Sequence, residues 1–237
     1  MTEVTVLVCT REILQSMTLQ SIATAKANTD VPFDLVVLET RDFTHPRDIN
    51  KVLKFLKTKY FVTMDDDVLP EKNWLEELIK VAESDDKIGA VQANLRTPEG
   101  IIFIWHGEAN PYIQEPLKVE EIGFACTALS LFKTRVIREI GYFDEKFSKW
   151  SFDTDYSWRI KEKGYKVVVA PKAKALHLAS YTISQNPELK EKYEILDRTY
   201  LVKKWILSGR FKSQYANNNP SFIEYWRRYC ERIEKNE

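Results

Sequence analysis

The sequence predicts an α/β fold built on a doubly wound, mainly parallel central sheet with a C-terminal helical extension, and three observations carry that expectation. Val4 to Cys9 (VTVLVC) is an almost unbroken apolar run of strand length, the mark of a strand covered on both faces. Two further runs, Asp34 to Leu38 (DLVVL) and Tyr60 to Met64 (YFVTM), come after it with helical patterning between them, so the chain alternates strand, helix, strand, helix, strand. With 237 residues, 44% hydrophobic and 12% aromatic, the chain can build one dominant core plus an appendage. In sheets of this kind ligands gather beyond the carboxyl ends of the strands, so chemistry is expected just after each strand.

Taken in order, the first helix is expected from Ile13 to Ala27 and the second from Arg47 to Leu56. Trp74, Leu75, Leu78, Ile79 and Ala82 then fall on one helical face, and Ile88 to Gln92 reads as the next strand. The middle is less regular. It holds a strand at Ile101 to Trp105, a loop with Pro111 and Pro116, an apolar run from Gly123 to Phe132, and a helix from Thr134 to Ile140 that Gly141 stops. A helix from Thr154 to Lys163, closed by Gly164, feeds the strand Tyr165 to Ala170. After Pro171 a short extended segment ends at His177. The domain division expected is residues 1–180, in halves 1–100 and 101–180, with an extension over 181–237. In that extension two helical patterns run from Glu188 to Ser208 and beyond Pro220, and the second aligns Phe222, Ile223, Trp226, Tyr229, Cys230 and Ile233 in a stripe. Something must cover it: the preceding domain or a second copy, a homodimer through the C-terminal helices, is expected, and peripheral membrane contact through Trp226 and Tyr229 is the alternative.

Charge and cysteine content narrow the function. Thirty-five basic residues balance thirty-five acidic ones, so no overall field exists to hold nucleic acid. Cys9, Cys126 and Cys230 are odd in number and widely spaced, which reads as buried thiols in a reducing compartment. No positive signal-peptide region opens the chain, and no run approaches the roughly 20 apolar residues that cross a bilayer. A cytoplasmic location, with at most peripheral membrane contact, is the expectation.

The sharpest chemical signal is Asp65-Asp66-Asp67, directly after YFVTM. Three adjacent carboxylates repel one another, and along extended chain Asp65 and Asp67 project to one side while Asp66 points away. Two hard oxygen donors at a strand's carboxyl end suit Mg²⁺ or Mn²⁺ with positions left for phosphate oxygens; a solvated acidic turn is the plain alternative. Asp153 stands at the start of a predicted helix, where it can cap backbone N–H groups or act as a general base. Asp155 and Arg159 are four apart and are expected to pair. Of the histidines, His45 and His106 read as loop residues, whereas His177 ends an extended segment on the ligand side, and an imidazole added to two carboxylates favours Mn²⁺ over Mg²⁺.

The order of these motifs resembles the inverting glycosyltransferases of the GT-A fold, in the large family 2 group. The resemblance spans Val4 to about Leu178 and rests on VTVLVCTRE, DLVVLE, Asn50, YFVTMDDDVLPEKNWLEEL, GFACTALSLFKTRVIREIGYFDEKF, FDTDYSWRIKEKGYKVVVAP and His177. It implies a Rossmann-like three-layer sandwich whose first half binds nucleotide and whose second half, 101–180, binds acceptor. The activity it implies is transfer of a sugar from a nucleotide diphosphate sugar to the hydroxyl of a carbohydrate or lipid-linked acceptor. By matching position, Thr10, Arg11, Glu39, Asp65 and Asp66 would contact the nucleotide sugar, Asp67 and His177 would bind the metal, and Asp153 would be the catalytic base. Trp150, Phe152 and Phe124 would face the acceptor. One departure is Phe152, where the family commonly carries a glutamate. Two other readings compete: an aspartyl-phosphate phosphatase, from Asp65-Asp66-Asp67-Val68-Leu69, and a module that binds nucleotide sugar or carbohydrate without turnover.

Overall fold

Side chains alternate between the two faces of a strand, and here both faces are apolar. In a computed structural model, which describes residues 2–40, 44–103, 115–178 and 187–236, β1 (Val4–Thr10) sends Val4, Val6 and Val8 to one side and Leu7 to the other, none more than 1% exposed. β2 (Phe33–Glu39) and β3 (Tyr60–Asp65) flank it in parallel. The connections are α1 (Ser16–Ala27) and α2 (His45–Leu53), as parallel neighbours require.

A two-residue turn then leads to β4 (Val68–Pro70), α3 (Trp74–Glu83), β5 (Ile88–Arg96) and β6 (Ile102–Phe103). The second half contributes β7 (Glu120–Glu121), β8 (Leu129–Lys133), α4 (Thr134–Ile140), α5 (Phe152–Glu162) and β9 (Lys166–His177). The sheet runs β2-β1-β3-β8-β5-β9-β4, with β6 beside β5 and β7 beside β9. β2, β1, β3, β5 and β9 share one direction, and β8, β4, β6 and β7 oppose them. The short segment expected at Pro171 to Leu178 is no separate piece: β9 continues through Pro171 by a shift in its register with β5. The loop with Pro111 lies outside the described residues.

Three layers result. α1 and α3 press Ala25, Trp74, Leu75 and Leu78 onto the face carrying Val6, Val62 and Met64. α2, α4 and α5 cover the opposite face with Ile49, Val136 and Tyr156.

The C-terminal extension joins this second layer. It comprises α6 (Pro187–Leu201), a π-helical stretch Val202–Leu207, a 3₁₀ turn Ser213–Ala216 and α7 (Pro220–Asn236). The Trp158 ring of α5 meets Trp205 at 5.5 Å and Phe222 at 5.8 Å, both edge-on. Phe222, Trp226 and Cys230 of the predicted stripe are buried in the same core as α5. For these three residues the cover is the preceding domain of the same chain, the first of the expected arrangements, and their packing lends no support to the homodimer or membrane readings. No helix among the described residues is long and apolar enough to cross a membrane. The boundary expected at residue 180 falls within 179–186, outside the described residues.

Asp155 does not pair with Arg159. Arg159 instead donates to the carbonyls of Tyr142 (2.6 Å) and Ile140, while fully buried Asp155 accepts from Lys204 Nζ and Trp205 Nε1, each at 2.7 Å. Lys204 also reaches Asp144 at 2.7 Å, so one ammonium locks the extension to α5. Lys204→Met is therefore expected to cost about 3 kcal/mol or more, because it strands a buried carboxylate. Guanidinium unfolding checks this, and a loss under about 1 kcal/mol, the scale of an exposed pair, would contradict it.

Candidate active site

The carboxyl ends of β1, β2 and β3 lie in one row because Thr10 is in register with Glu39 and Cys9 with Asp65. Glu39 and Arg11 are exposed along this edge. Thr10 is 2% exposed, with its hydroxyl 2.9 Å from that of Thr18 on α1. Asn50, also part of the motif set, is a structural tie: it donates to the Phe143 carbonyl at 2.9 Å and accepts the Phe143 N–H at 3.0 Å.

Beyond β3 the three aspartates separate as alternation demands. Asp66 turns toward α1, accepting from the Thr18 hydroxyl at 3.4 Å. Asp65 and Asp67 turn the other way, toward His177. A residue 110 positions later reaches this point by strand pairing: Val68 of β4 is opposite His177 of β9, and the Leu178 N–H donates to the Asp67 carbonyl at 3.0 Å. One ligand atom from each of Asp65, Asp67 and His177 lies within 4.8 Å of the others, and His177 Nε2 is 3.3 Å from Asp67 Oδ1.

The trio concentrates negative charge that a cation could offset. Burial raises the Asp65 carboxyl well above the usual carboxylate range, Lys149 opposes that rise, and Asp67 adds to it. Burial alone would lower His177, but its hydrogen bond to Asp67 and the charges of Asp67 and Asp65 lift it above its ordinary value. Two hard oxygens and an imidazole nitrogen that can close on one point fit a divalent ion of the Mn²⁺ or Mg²⁺ type.

Asp153 lies in the first turn of α5, next to this cluster. Ser151, in the left-handed region at φ 60°, holds the N-cap position without a side-chain bond to the helix, and Asp153 Oδ1 accepts the Thr154 N–H at 2.7 Å. Capping and the helix dipole would lower its pKa, yet burial wins and pushes the carboxyl up to about 6, with Asp65 adding to the rise. That is a useful basicity for a proton acceptor at neutral pH. Asp153, Trp150 and Phe124 line one cavity of about 200 Å³, whose far wall is Arg198 of α6 with Tyr225 and Trp226 of α7. The segment carrying Phe124 is fixed from below: the Ala125 N–H donates to the Ser157 hydroxyl at 3.0 Å and the Cys126 N–H to Gln92 Oε1 at 2.8 Å. Burial pushes both nearby thiols, Cys9 and Cys126, upward, so they are poor nucleophiles.

Phe152 requires correction. It is 3% exposed, its ring edge-on to Phe143 at 5.5 Å, and it does not line the cavity. The first helical residue of α5 points into the core, while the next, Asp153, points out. The residue that replaces the family's usual glutamate is thus a packing residue.

Residues 17–141, more than half of the chain, match the sequence profile of glycosyl transferase family 2. The chain belongs to this family. Membership of a glycosyltransferase family weighs against the phosphatase reading. A comparison with curated protein sequences found no match. Among solved structures, a mannosyltransferase from Pyrobaculum calidifontis in complex with GDP-Man and Mn²⁺ is 13% identical with a TM-score of 0.59, over 85% of this chain and 64% of its own. GalNAc-T7 with UDP, GalNAc and Mn²⁺ is 11% identical with a TM-score of 0.59, over 73% of this chain and 42% of its own. The catalytic domain of Drosophila beta1,4galactosyltransferase 7 in complex with xylobiose is 17% identical with a TM-score of 0.53, over 73% of this chain and 66% of its own. These likenesses are of fold, the GT-A fold of glycosyltransferases, and the chain spans less than two thirds of the first two.

Within this family 2 chain, the sequence gives no sign that Lys149, Asp197, Tyr225 or Trp226 belongs to the site, although Trp226 stands out in the C-terminal stripe. Lys149 places its ammonium 3.4 Å from His45 Nε2 and close enough to lower Asp65 and Asp66. Asp197 binds the loop that carries Lys149. Tyr225 and Trp226 close the cavity. No motif marked them, since each reaches the site by tertiary packing of loop or tail.

Proposed function

We propose that this glycosyltransferase is metal-dependent and inverting, moving a sugar from a nucleotide diphosphate sugar to a carbohydrate or lipid-linked acceptor hydroxyl with Asp153 as general base. The observation that carries the reading is the convergence of Asp65, Asp67 and His177 on one point, with a raised-pKa carboxylate beside them in a separate cavity.

Asp65, Asp67 and His177 would hold Mn²⁺ or Mg²⁺, which when bound offsets the negative charge that develops on the departing diphosphate. Thr10, Arg11 and Glu39 lie along the neighbouring strand ends, where the nucleotide would sit, and Asp66 is braced behind them against α1. Lys149 adds a fixed positive charge beside the same carboxylates. The acceptor would enter the aromatic cavity, with its hydroxyl hydrogen-bonded to Asp153. As that oxygen attacks the anomeric carbon, Asp153 takes its proton, and in-line displacement inverts the configuration. Aromatic walls such as Trp150 and Tyr225 suit the apolar face of a sugar ring and exclude water that would otherwise compete as acceptor.

A thermal-shift panel of uridine, guanosine and thymidine diphosphates, each with Mn²⁺, Mg²⁺ or chelator, tests this. One diphosphate is expected to raise the melting temperature by several degrees with the ion present and negligibly without it, since a ligand at about 100 times its Kd adds about 2.7 kcal/mol to the native state. The same shift in chelator would contradict the metal role.

A further inference from the structure

We propose that Asp197, on α6 and outside the family match, is a positioning residue for the transfer reaction: its carboxylate clamps the loop that presents Lys149 and Trp150 and sets the orientation of Asp153. This rests on the function proposed above.

Asp197 is 2% exposed. Its two oxygens accept three successive backbone N–H groups: Ser148 at 2.9 and 3.1 Å, Lys149 at 2.9 Å and Trp150 at 2.8 Å. Three amides converging on one buried carboxylate form charge-assisted bonds whose direction is fixed. Burying a carboxylate is costly, and simple helix packing would be better served by an apolar side chain. The acid instead holds a particular backbone path.

The next residue along that path depends on it. Ser151 adopts φ 60° and ψ −4°, a conformation that strains a non-glycine residue and persists only where its surroundings over-determine it. The clamp fixes the three amides before Ser151. Asp155, gripped by Lys204 and Trp205, fixes the helix after it. Asp153 is held between these two anchors, both supplied by the extension. The Ser148 carbonyl also accepts the His45 N–H at 3.1 Å, joining the loop to α2. The metal-site residues are secured differently, by the pairing of β4 with β9, so removing the clamp shifts the base and the acceptor wall while leaving Asp65, Asp67 and His177 in place.

The test compares Asp197→Ala and Asp197→Asn with the parent chain and with Arg228→Ala, which breaks the exposed Arg228–Glu224 pair elsewhere on the extension. Transfer kinetics and calorimetric binding of the nucleotide diphosphate with Mn²⁺ are measured well below each melting temperature. Asp197→Ala is expected to lower kcat by about 10²-fold, the scale of an ångström-sized misplacement, and to raise the acceptor KM, with nucleotide affinity kept. Asp197→Asn retains an acceptor oxygen and is expected to restore most of kcat, and Arg228→Ala to match the parent. Parental kcat in folded Asp197→Ala overturns the proposal, as does a parallel loss of kcat and nucleotide affinity. If Asp197→Ala does not fold, Asp197→Asn decides alone: a several-fold lower kcat at unchanged nucleotide affinity supports the clamp, and an unchanged kcat overturns it. A parent that neither binds nucleotide with Mn²⁺ nor transfers sugar would instead overturn the function on which the proposal rests.

Discussion

Asp153→Asn is expected to bind the nucleotide diphosphate and Mn²⁺ like the parent and to transfer sugar about 10³-fold more slowly, within the range general-base catalysis contributes. The amide keeps the shape of the carboxylate, so the cavity and the first turn of α5 are preserved; only the capacity to accept a proton is lost. The same residue predicts the pH dependence. Burial pushes its carboxyl up to about 6, and the base works only when ionised, so kcat is expected to be level above that value and to fall as pH drops through it. Measured at saturating donor, acceptor and Mn²⁺, so that metal loss does not intrude, a profile flat down to pH 5 would contradict this. Substantial transfer by Asp153→Asn would remove the base assignment altogether.

Asp67→Asn is expected to show the second large effect, loss of metal-dependent nucleotide binding and with it of transfer. Asp67 is 7% exposed and 3.3 Å from His177, so its substitution removes one of three donors and leaves the imidazole facing an amide. Replacing a charged donor by a neutral one lowers affinity for a hard cation steeply, by about 10²-fold or more if it resembles the loss of other supporting metal contacts. Because burial raises Asp65, that carboxyl must give up its proton for an ion to bind, and metal affinity is expected to fall with pH on the acid side.

How far the sequence could be read depended on the range of the forces involved. Strand β1 was visible because both its faces are buried, and α4 because Gly141 takes the positive φ of 84° that ends it. The split of Asp65 and Asp67 from Asp66 arose from alternation and survives the turn after β3. Local rules failed where a distant partner outbid a near one. Asp155 has Arg159 one helical turn away, yet the Lys204 ammonium and the buried Trp205 N–H claim it, while the Arg159 guanidinium is taken up by the carbonyls of Tyr142 and Ile140. The motif places Phe152 with its neighbours at the acceptor, but one step along a helix turns a side chain by about 100°, from the acceptor cavity into the core. Asp197 carries no motif at all: its role exists only once α6 lies against the loop at Ser148.

The central claim is that Asp65, Asp67 and His177 hold a cation that in turn holds a diphosphate. Calorimetric titration of the best nucleotide diphosphate from the panel into the parent and into Asp67→Asn, each with Mn²⁺ and with chelator, tests it most directly. The account predicts binding by the parent that vanishes in chelator, and no detectable binding by Asp67→Asn under either condition. Equal affinities in both proteins, or a parent indifferent to chelator, would contradict it.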